Sequence, residues 1–160
     1  MTLVLLYQLL FDIQNASKFI HIQYFIFRDD VLGRRVRDAL VAAVDRGVEV
    51  RLLYDDMGSM TVNRRFFKNM ELRGVEVRAF MRIFQIRPSW RLNYRNHRKI
   101  VVIDGKIAYT GGLNIADEYI NKKRRFGHWK DAAIMIRGEA VKSFTAMFLK
   151  MWAMVPSLFL

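Results

Sequence analysis

Between residues 18 and 79 the chain switches repeatedly between a strand-like and a helix-like hydrophobic period, and this alternation limits its fold more than any other feature. Residues 18–27 contain Phe19, Ile20, Ile22, Tyr24, Phe25, Ile26 and Phe27, the β-branched and aromatic types that fill strands. Over residues 31–46, Val31, Val36, Leu40, Val41 and Val44 recur near a 3.6-residue period, which predicts a helix. Asp29 or Asp30 can cap its start, and Gly47 can end it. Residues 48–54 read as a buried strand, and Asp55-Asp56-Met57-Gly58-Ser59 supplies turn chemistry at its end. A helix over 61–73, closed by Gly74, leads to a short strand over 75–79. Strand–helix–strand–helix–strand implies a mostly parallel sheet with helices on its faces.

The remainder extends that plan. A helix is expected over 3–16, a basic loop over 81–96, and two strands over 98–103 and 106–111 around the hairpin turn Asp104-Gly105. A short helix over 115–121, a strand over 130–137 and a helix over 138–153 follow. The expected class is α/β: one domain over 1–160, with a mixed, mostly parallel sheet flanked by helices on both faces. A hydrophobic content of 52% excludes a disordered chain. The absence of cysteine excludes disulfides, thiolate catalysis and thiolate metal sites. No stretch reaches the ~18 apolar residues of a membrane span. Residues 3–11 are apolar but lack the basic flank of a signal peptide, and Lys150 and Pro156 interrupt the apolar end. The formal charge of +12 favours an anionic partner: nucleic acid, an acidic membrane surface or a phosphorylated substrate. Charge does not choose among these.

The chemistry concentrates in Asn96-His97-Arg98-Lys99-Ile100-Val101-Val102-Ile103-Asp104, followed by Gly111-Gly112-Leu113-Asn114. Together they spell H-x-K-x4-D-x6-G-G-x-N. This pattern resembles the signature of the phospholipase D superfamily. The likeness extends from about residue 10 to about 152 and is similar to the bacterial cardiolipin synthase branch. It includes Asp55-Asp56-Met57-Gly58-Ser59, Asp117-Glu118-Tyr119, Gly127-His128-Trp129-Lys130-Asp131 and Gly138-Glu139-Ala140.

A phosphodiester resists attack because its anionic oxygens repel nucleophiles, so a catalyst must neutralise charge, supply a nucleophile and protonate the leaving oxygen. His97 can attack phosphorus through one ring nitrogen if a hydrogen bond holds the other. Lys99, two residues on, shares a face with His97 if the segment is extended. Asn114 returns to that face after the hairpin and can donate to phosphate, and Gly111 and Gly112 let the backbone pass close to a ligand. Asp104 falls on the opposite face of an ideal strand and reads as bracing the turn, whereas the resemblance makes it part of the catalytic motif with His97 and Lys99. Asp131, in the Trp129-Lys130-Asp131 segment, is the candidate to orient His97.

The resemblance implies a phosphatidyl-histidine intermediate with no metal and no cofactor, and transfer of a phosphatidyl group from one phosphatidylglycerol to another, giving cardiolipin and glycerol. A second histidine motif would act as general acid and base. This chain departs from the pattern in having one motif and no amino-terminal membrane helices. It can be a fragment of a two-motif enzyme, the first half being the better match, or a protein that pairs two copies of His97 across a two-fold axis. Three functions follow: a phosphatidyltransferase half-site acting on anionic phospholipid, peripheral at the bacterial inner membrane; a homodimeric phosphodiesterase or endonuclease, with nucleic acid as the less favoured partner; or a catalytically incomplete lipid-binding fragment. Arg82, Arg87, Arg91 and Arg95, interleaved with Phe84 and Trp90, suit nucleic acid and a membrane interface equally. Lys122-Lys123-Arg124-Arg125 is a solvated loop or a headgroup site. His21, among aromatic residues, reads as a core histidine; His128 reads as a loop residue or as lining the cleft. The methionines read as core filling.

Overall fold

The computed structural model describes residues 2–81, 95–122, 127 and 129–156, with side chains from Val4 onward. The elements run α1 (Thr2–Gln14), β1 (Phe19–Tyr24), α2 (Val31–Asp45), β2 (Glu49–Asp55), α3 (Arg64–Leu72), β3 (Glu76–Phe80), β4 (Ile100–Ile103), β5 (Ile107–Gly111), a 3-10 turn (Asp117–Ile120), β6 (Ala133–Arg137) and α4 (Val141–Met154). Most of the basic loop, including Arg82, Phe84, Arg87, Trp90 and Arg91, lies outside the described residues. So do Lys123, Arg124, Arg125, His128 and the last four residues.

One six-stranded sheet has the order β3-β2-β1-β4-β5-β6. The β1–β2 and β2–β3 ladders are parallel, and β1–β4, β4–β5 and β5–β6 are antiparallel. β1, β2, β3 and β5 therefore point one way and β4 and β6 the other. The expectation of a mixed sheet with a parallel majority holds by strand direction, although antiparallel ladders outnumber parallel ones.

Alternation along each strand separates two cores. Ile20, Ile22, Leu52, Val77 and Val101 face α1, α2 and α3, where Leu9, Ile13, Val36, Leu40 and Met70 complete the larger one. Leu53 on the other face packs on Phe148 and Trp152, and Val102 and Ala108 pack with Val141, all three of these partners from α4. Helices thus cover both faces. His21 belongs to the α4 face: it is 4% exposed, and its ring stacks on Phe148 with centroids 4.6 Å apart. Burial, helped by the Arg51 charge, lowers its pKa to about 4. His21 is buried as a core histidine would be, but neither ring nitrogen has a hydrogen-bond partner among the described residues, so it is not the satisfied core histidine expected.

Two local devices fix the edges of the functional end. Asp30 caps α2 by accepting from Gly33 N at 2.9 Å, and its other oxygen accepts from Asp117 N at 2.7 Å. Asp117 in turn accepts from Leu32 N at 2.9 Å, so two carboxylates tie the start of α2 to the 3-10 turn. The β4–β5 hairpin turns through Asp104 and Gly105 with φ of 53° and 65°. Positive φ at both central residues matches the right-handed twist of the flanking strands.

Candidate active site

The site is built on the segment that leaves β1. Residues 25–28 are pinned from two sides. Gly58 lets the turn after β2 approach so closely that a Cβ there would lie 2.2 Å from the Phe25 carbonyl oxygen. Ser59 Oγ then accepts from Phe27 N at 3.1 Å, and Asp55 accepts from Met57 N and Gly58 N at 3.0 Å each. From the other side, Ile115 N donates to Ile26 O at 3.1 Å and Arg28 N to Ile115 O at 2.9 Å. Asn114 Oδ1 accepts from Ile26 N at 3.0 Å. With its backbone so held, Phe25 is a fixed platform.

The exposed imidazole of His97 lies on that platform, with ring centroids 4.0 Å apart and an interplanar angle of 24°. The Lys99 ammonium is 5.9 Å from the same ring centre and donates to the His97 carbonyl at 2.8 Å. The two residues precede β4, which begins at Ile100, so the expectation of a strand from residue 98 is corrected: Phe25, more than a strand pleat, brings them together. Behind the His97 segment, Arg95 stands 3.6 Å from Asp55, both side chains being almost fully buried, and donates to Met81 O at 3.0 Å. Burial pushes the Asp55 carboxyl up, while Gly58 N–H and the Arg95 charge work against that shift.

Lys99 also lines a narrow apolar cleft with Leu5, Leu6, Leu9, Tyr109 and Asn114. Burial lowers the Lys99 pKa, and the nearby Asp131 carboxylate acts in the opposite sense. Asp131 is held by Trp129 Nε1 at 3.2 Å and Ala132 N at 2.8 Å. Gly112 makes its approach possible, because a Cβ there would sit 2.1 Å from Asp131 Oδ1. Gly111 is equally tight, 2.4 Å from Ala132 O on the same construction. Both glycines admit another part of this chain, the 131–133 segment, where the sequence suggested a ligand.

The predicted residues therefore separate. His97 and Lys99 meet at Phe25, and Asn114 and Asp131 join them through Lys99. Asp131 faces Lys99; no hydrogen bond to His97 is among its contacts. Asp104 lies at the far end of β4. Its carboxylate accepts from Ser17 N, Ser17 Oγ, Lys18 N and Phe19 N at 2.8–3.0 Å. Burial works to raise its pKa, but the donors at Ser17, Lys18 and Phe19 prevail and hold it below the usual carboxylate range. These contacts tie the hairpin turn to residues 17–19, at the opposite end of β4 from Lys99. Phe25, Gly58 and Ser59 were missed; Asp55-Asp56-Met57-Gly58-Ser59 announced a turn but not what it clamps. Among the described residues no group of three or more His, Asp or Glu side chains is placed to hold a metal ion.

A family model described as "Cardiolipin synthase, PLD-like domain" matches residues 9–152. The chain belongs to this family. It is 46% identical over 144 residues to a cardiolipin synthase of Oceanobacillus iheyensis, covering 90% of this chain and 30% of that protein. It is 44% identical over 146 residues to the major cardiolipin synthase ClsA of Bacillus subtilis, covering 91% and 30%. The chain thus spans about 30% of the length of these curated relatives. Among solved structures it is similar to Nuc of Salmonella typhimurium, a phospholipase D family member, with a TM-score of 0.70 at 21% identity, covering 96% of this chain and 88% of Nuc. NucT of Helicobacter pylori gives 0.69 at 18% identity, covering 96% and 90%. At such identities these two similarities concern the fold.

Chemically, this PLD-like domain presents an accessible imidazole on an aromatic support, a partly desolvated ammonium beside it, and apolar walls leading away. A nucleophile next to a cation in a half-dry cleft suits attack on an anionic ester.

Proposed function

We propose that this domain supplies one half of a phosphatidyltransferase active site working on anionic phospholipid at the bacterial cytoplasmic membrane. One ring nitrogen of His97 attacks phosphorus of phosphatidylglycerol. The bond from phosphorus to the glycerol oxygen breaks, and that oxygen takes a proton from the histidine of a second motif. A hydroxyl of another phosphatidylglycerol then attacks the phosphatidyl-histidine, returns its proton to the second histidine, and leaves cardiolipin and free His97. Lys99 neutralises phosphoryl charge throughout, Asn114 offers an amide to the phosphate, and Asp131 steadies Lys99 or, in the assembled site, the imidazole. Asp104 supports the motif from outside the reacting atoms.

The observation that carries this reading is the exposed His97 ring on Phe25, beside Lys99, which also lines an apolar cleft. An anionic head with hydrocarbon attached needs that combination, whereas a nucleic acid strand needs cations along its whole path. The cardiolipin synthase relatives support the same choice. The test is a product assay: the chain and its His97→Ala variant are incubated with labelled phosphatidylglycerol vesicles, and lipids are resolved by mass. Cardiolipin, or a labelled covalent adduct, from the His97 protein alone supports the proposal; absence of both sinks it for the isolated chain and leaves a lipid-binding half.

The net charge of +12 favours a second reading, a homodimeric phosphodiesterase or endonuclease in which two His97 residues share the work. Salt-sensitive DNA cleavage by a dimer, with no lipid turnover, would select it.

A further inference from the structure

The outer face of α1 carries no formal charge. Its one acidic residue, Asp12, is buried and accepts from Gln8 at 3.1 Å and from the Tyr109 hydroxyl. Val4, Tyr7 and Phe11 point outward instead, 72, 56 and 58% exposed. Their i, i+3, i+7 spacing sets them in one stripe. Scattered apolar side chains on a surface need no explanation, but a helix-long stripe does.

Cations border the stripe. Arg35 of α2 holds its guanidinium 5.8 Å from the Tyr7 ring centre. A small hollow beside it is lined by Leu6, Tyr7, Leu32, Arg35, Ile120 and Lys122. Leu6, Leu32 and Ile120 of this hollow also line the cleft that holds Lys99 and Asn114. Apolar walls therefore connect the surface at Tyr7 with the candidate site.

We propose that this face, Val4, Tyr7 and Phe11 with Arg35 and Lys122 beside them, docks on a bilayer containing anionic lipid, and that lipid reaches Lys99 from this side. An apolar stripe edged by basic side chains is the arrangement by which interfacial helices enter the headgroup region. A second copy of the chain fits the face less well, since each copy carries +12 and brings Arg35 and Lys122 to the contact. An anionic bilayer accepts the apolar side chains and neutralises those charges together. The inference rests on phospholipid being the substrate and adds which surface meets it.

The experiment uses the full chain carrying His97→Ala, so that turnover does not alter the vesicles. Flotation is compared for phosphatidylcholine vesicles with and without phosphatidylglycerol. Expected are salt-sensitive binding to the anionic vesicles, a loss of roughly tenfold or more for Val4→Asp with Phe11→Asp, and a loss confined to anionic vesicles for Arg35→Gln with Lys122→Gln. Leu72→Asp, replacing an equally exposed leucine on α3, is the control and is expected to bind as before. Should the paired aspartate variant unfold, Tyr7→Trp keeps the question open to measurement: its emission should shift blue on anionic vesicles and be quenched by brominated acyl chains. Equal binding by the stripe variant and the Leu72 control, or an unshifted Tyr7→Trp emission, overturns the proposal. So does a stripe variant that turns a dimer into a monomer yet still floats. Turnover of a short-chain, monomeric phosphatidylglycerol by the chain with His97 intact is measured separately. If that turnover persists while vesicle docking fails, only the docking surface is lost; if it is absent while docking holds, the phosphatidyltransferase reading fails for the isolated chain and the docking surface stands.

Discussion

The two ends of β4 belong to one sequence motif and do opposite work. At the amino end, His97 is exposed on Phe25 and Lys99 reaches its carbonyl. At the carboxyl end, Asp104 closes the hairpin and collects donors from Ser17, Lys18 and Phe19. Four buried residues, Ile100 to Ile103, separate them. One end keeps a polar group free for a ligand, and the other uses up its acceptor capacity within the chain. On the proposed function, motif spacing records two different demands: chemistry at one end, and at the other the attachment of the segment between α1 and β1 to the same strand.

The sharpest way to break this contrast is to remove each end in turn. His97→Ala is expected to cut any phospholipid turnover by about a thousandfold or more, because the nucleophile is gone, while moving stability by no more than about 0.5 kcal/mol. Asp104→Ala should do the reverse. It removes the acceptor of donors at Ser17, Lys18 and Phe19, most of them solvent-exposed, and is expected to cost roughly 1–2 kcal/mol in denaturant unfolding. Its turnover, corrected for folded fraction, should stay near the parent value. The Asp104 contribution also has a pH signature. Its folded pKa lies below the unfolded value, so the stabilisation is complete above the unfolded pKa and fades as pH falls through the folded one. Parent and Asp104→Ala unfolding curves should converge in acid. A large turnover defect in Asp104→Ala without loss of stability would erase the distinction between the ends.

His21 faces Val102 across the β1–β4 ladder, between those ends, and has its own acid sensitivity. Its pKa is lowered to about 4 by burial and by Arg51. Above pH about 6.5 both folded and unfolded forms are neutral there, and stability is complete. As pH falls from about 6.5 to about 4, only the unfolded chain takes up the proton, and roughly 3 kcal/mol should be lost, levelling off below. His21→Leu should remove this component, and unfolding midpoints across that window would show it. An unchanged slope in the variant would mean that carboxylates such as Asp104 alone set the acid response.

How much of this was legible in the sequence follows from the range of the forces involved. Each described element lies within a few residues of where local period and turn chemistry put it, since Gly47, Gly74 and Asp104-Gly105 act on their neighbours. That β1 would stand between β2 and β4, with β4 reversed, depends on pairings across about eighty residues, which no local pattern encodes. The same holds inside the site. His97 and Lys99 were readable from their spacing, but Phe25 looked like one more apolar residue of a strand. Its role depends on Asn114 and Ser59, which hold the next two residues of its segment, Ile26 and Phe27. Asp104 was readable as a brace from strand parity, yet its partners at Ser17 to Phe19 were not. Gly112 reads as a close approach to a ligand, and the neighbour that its missing side chain admits in the structure is Asp131.

That last reading gives the subtlest test of the contrast between the two ends. A methyl group on Gly112 meets the Asp131 carboxylate, whose oxygens lie 2.1 and 2.5 Å from the Cβ position. A carboxylate is the end of a side chain and can swing away, so Gly112→Ala should cost only about 1 kcal/mol in stability. The displaced Asp131 would no longer oppose the effect of burial on Lys99, whose pKa should fall further. Turnover is then expected to drop by roughly tenfold near neutral pH, with its alkaline limb moved to lower pH, because the ammonium that neutralises phosphate is lost sooner. Asp131→Asn removes the charge without the methyl group and should move the same limb in the same direction. If Gly112→Ala shifts the limb and Asp131→Asn does not, the glycine makes room for a ligand rather than for Asp131, and the amino end of β4 must be reassigned accordingly.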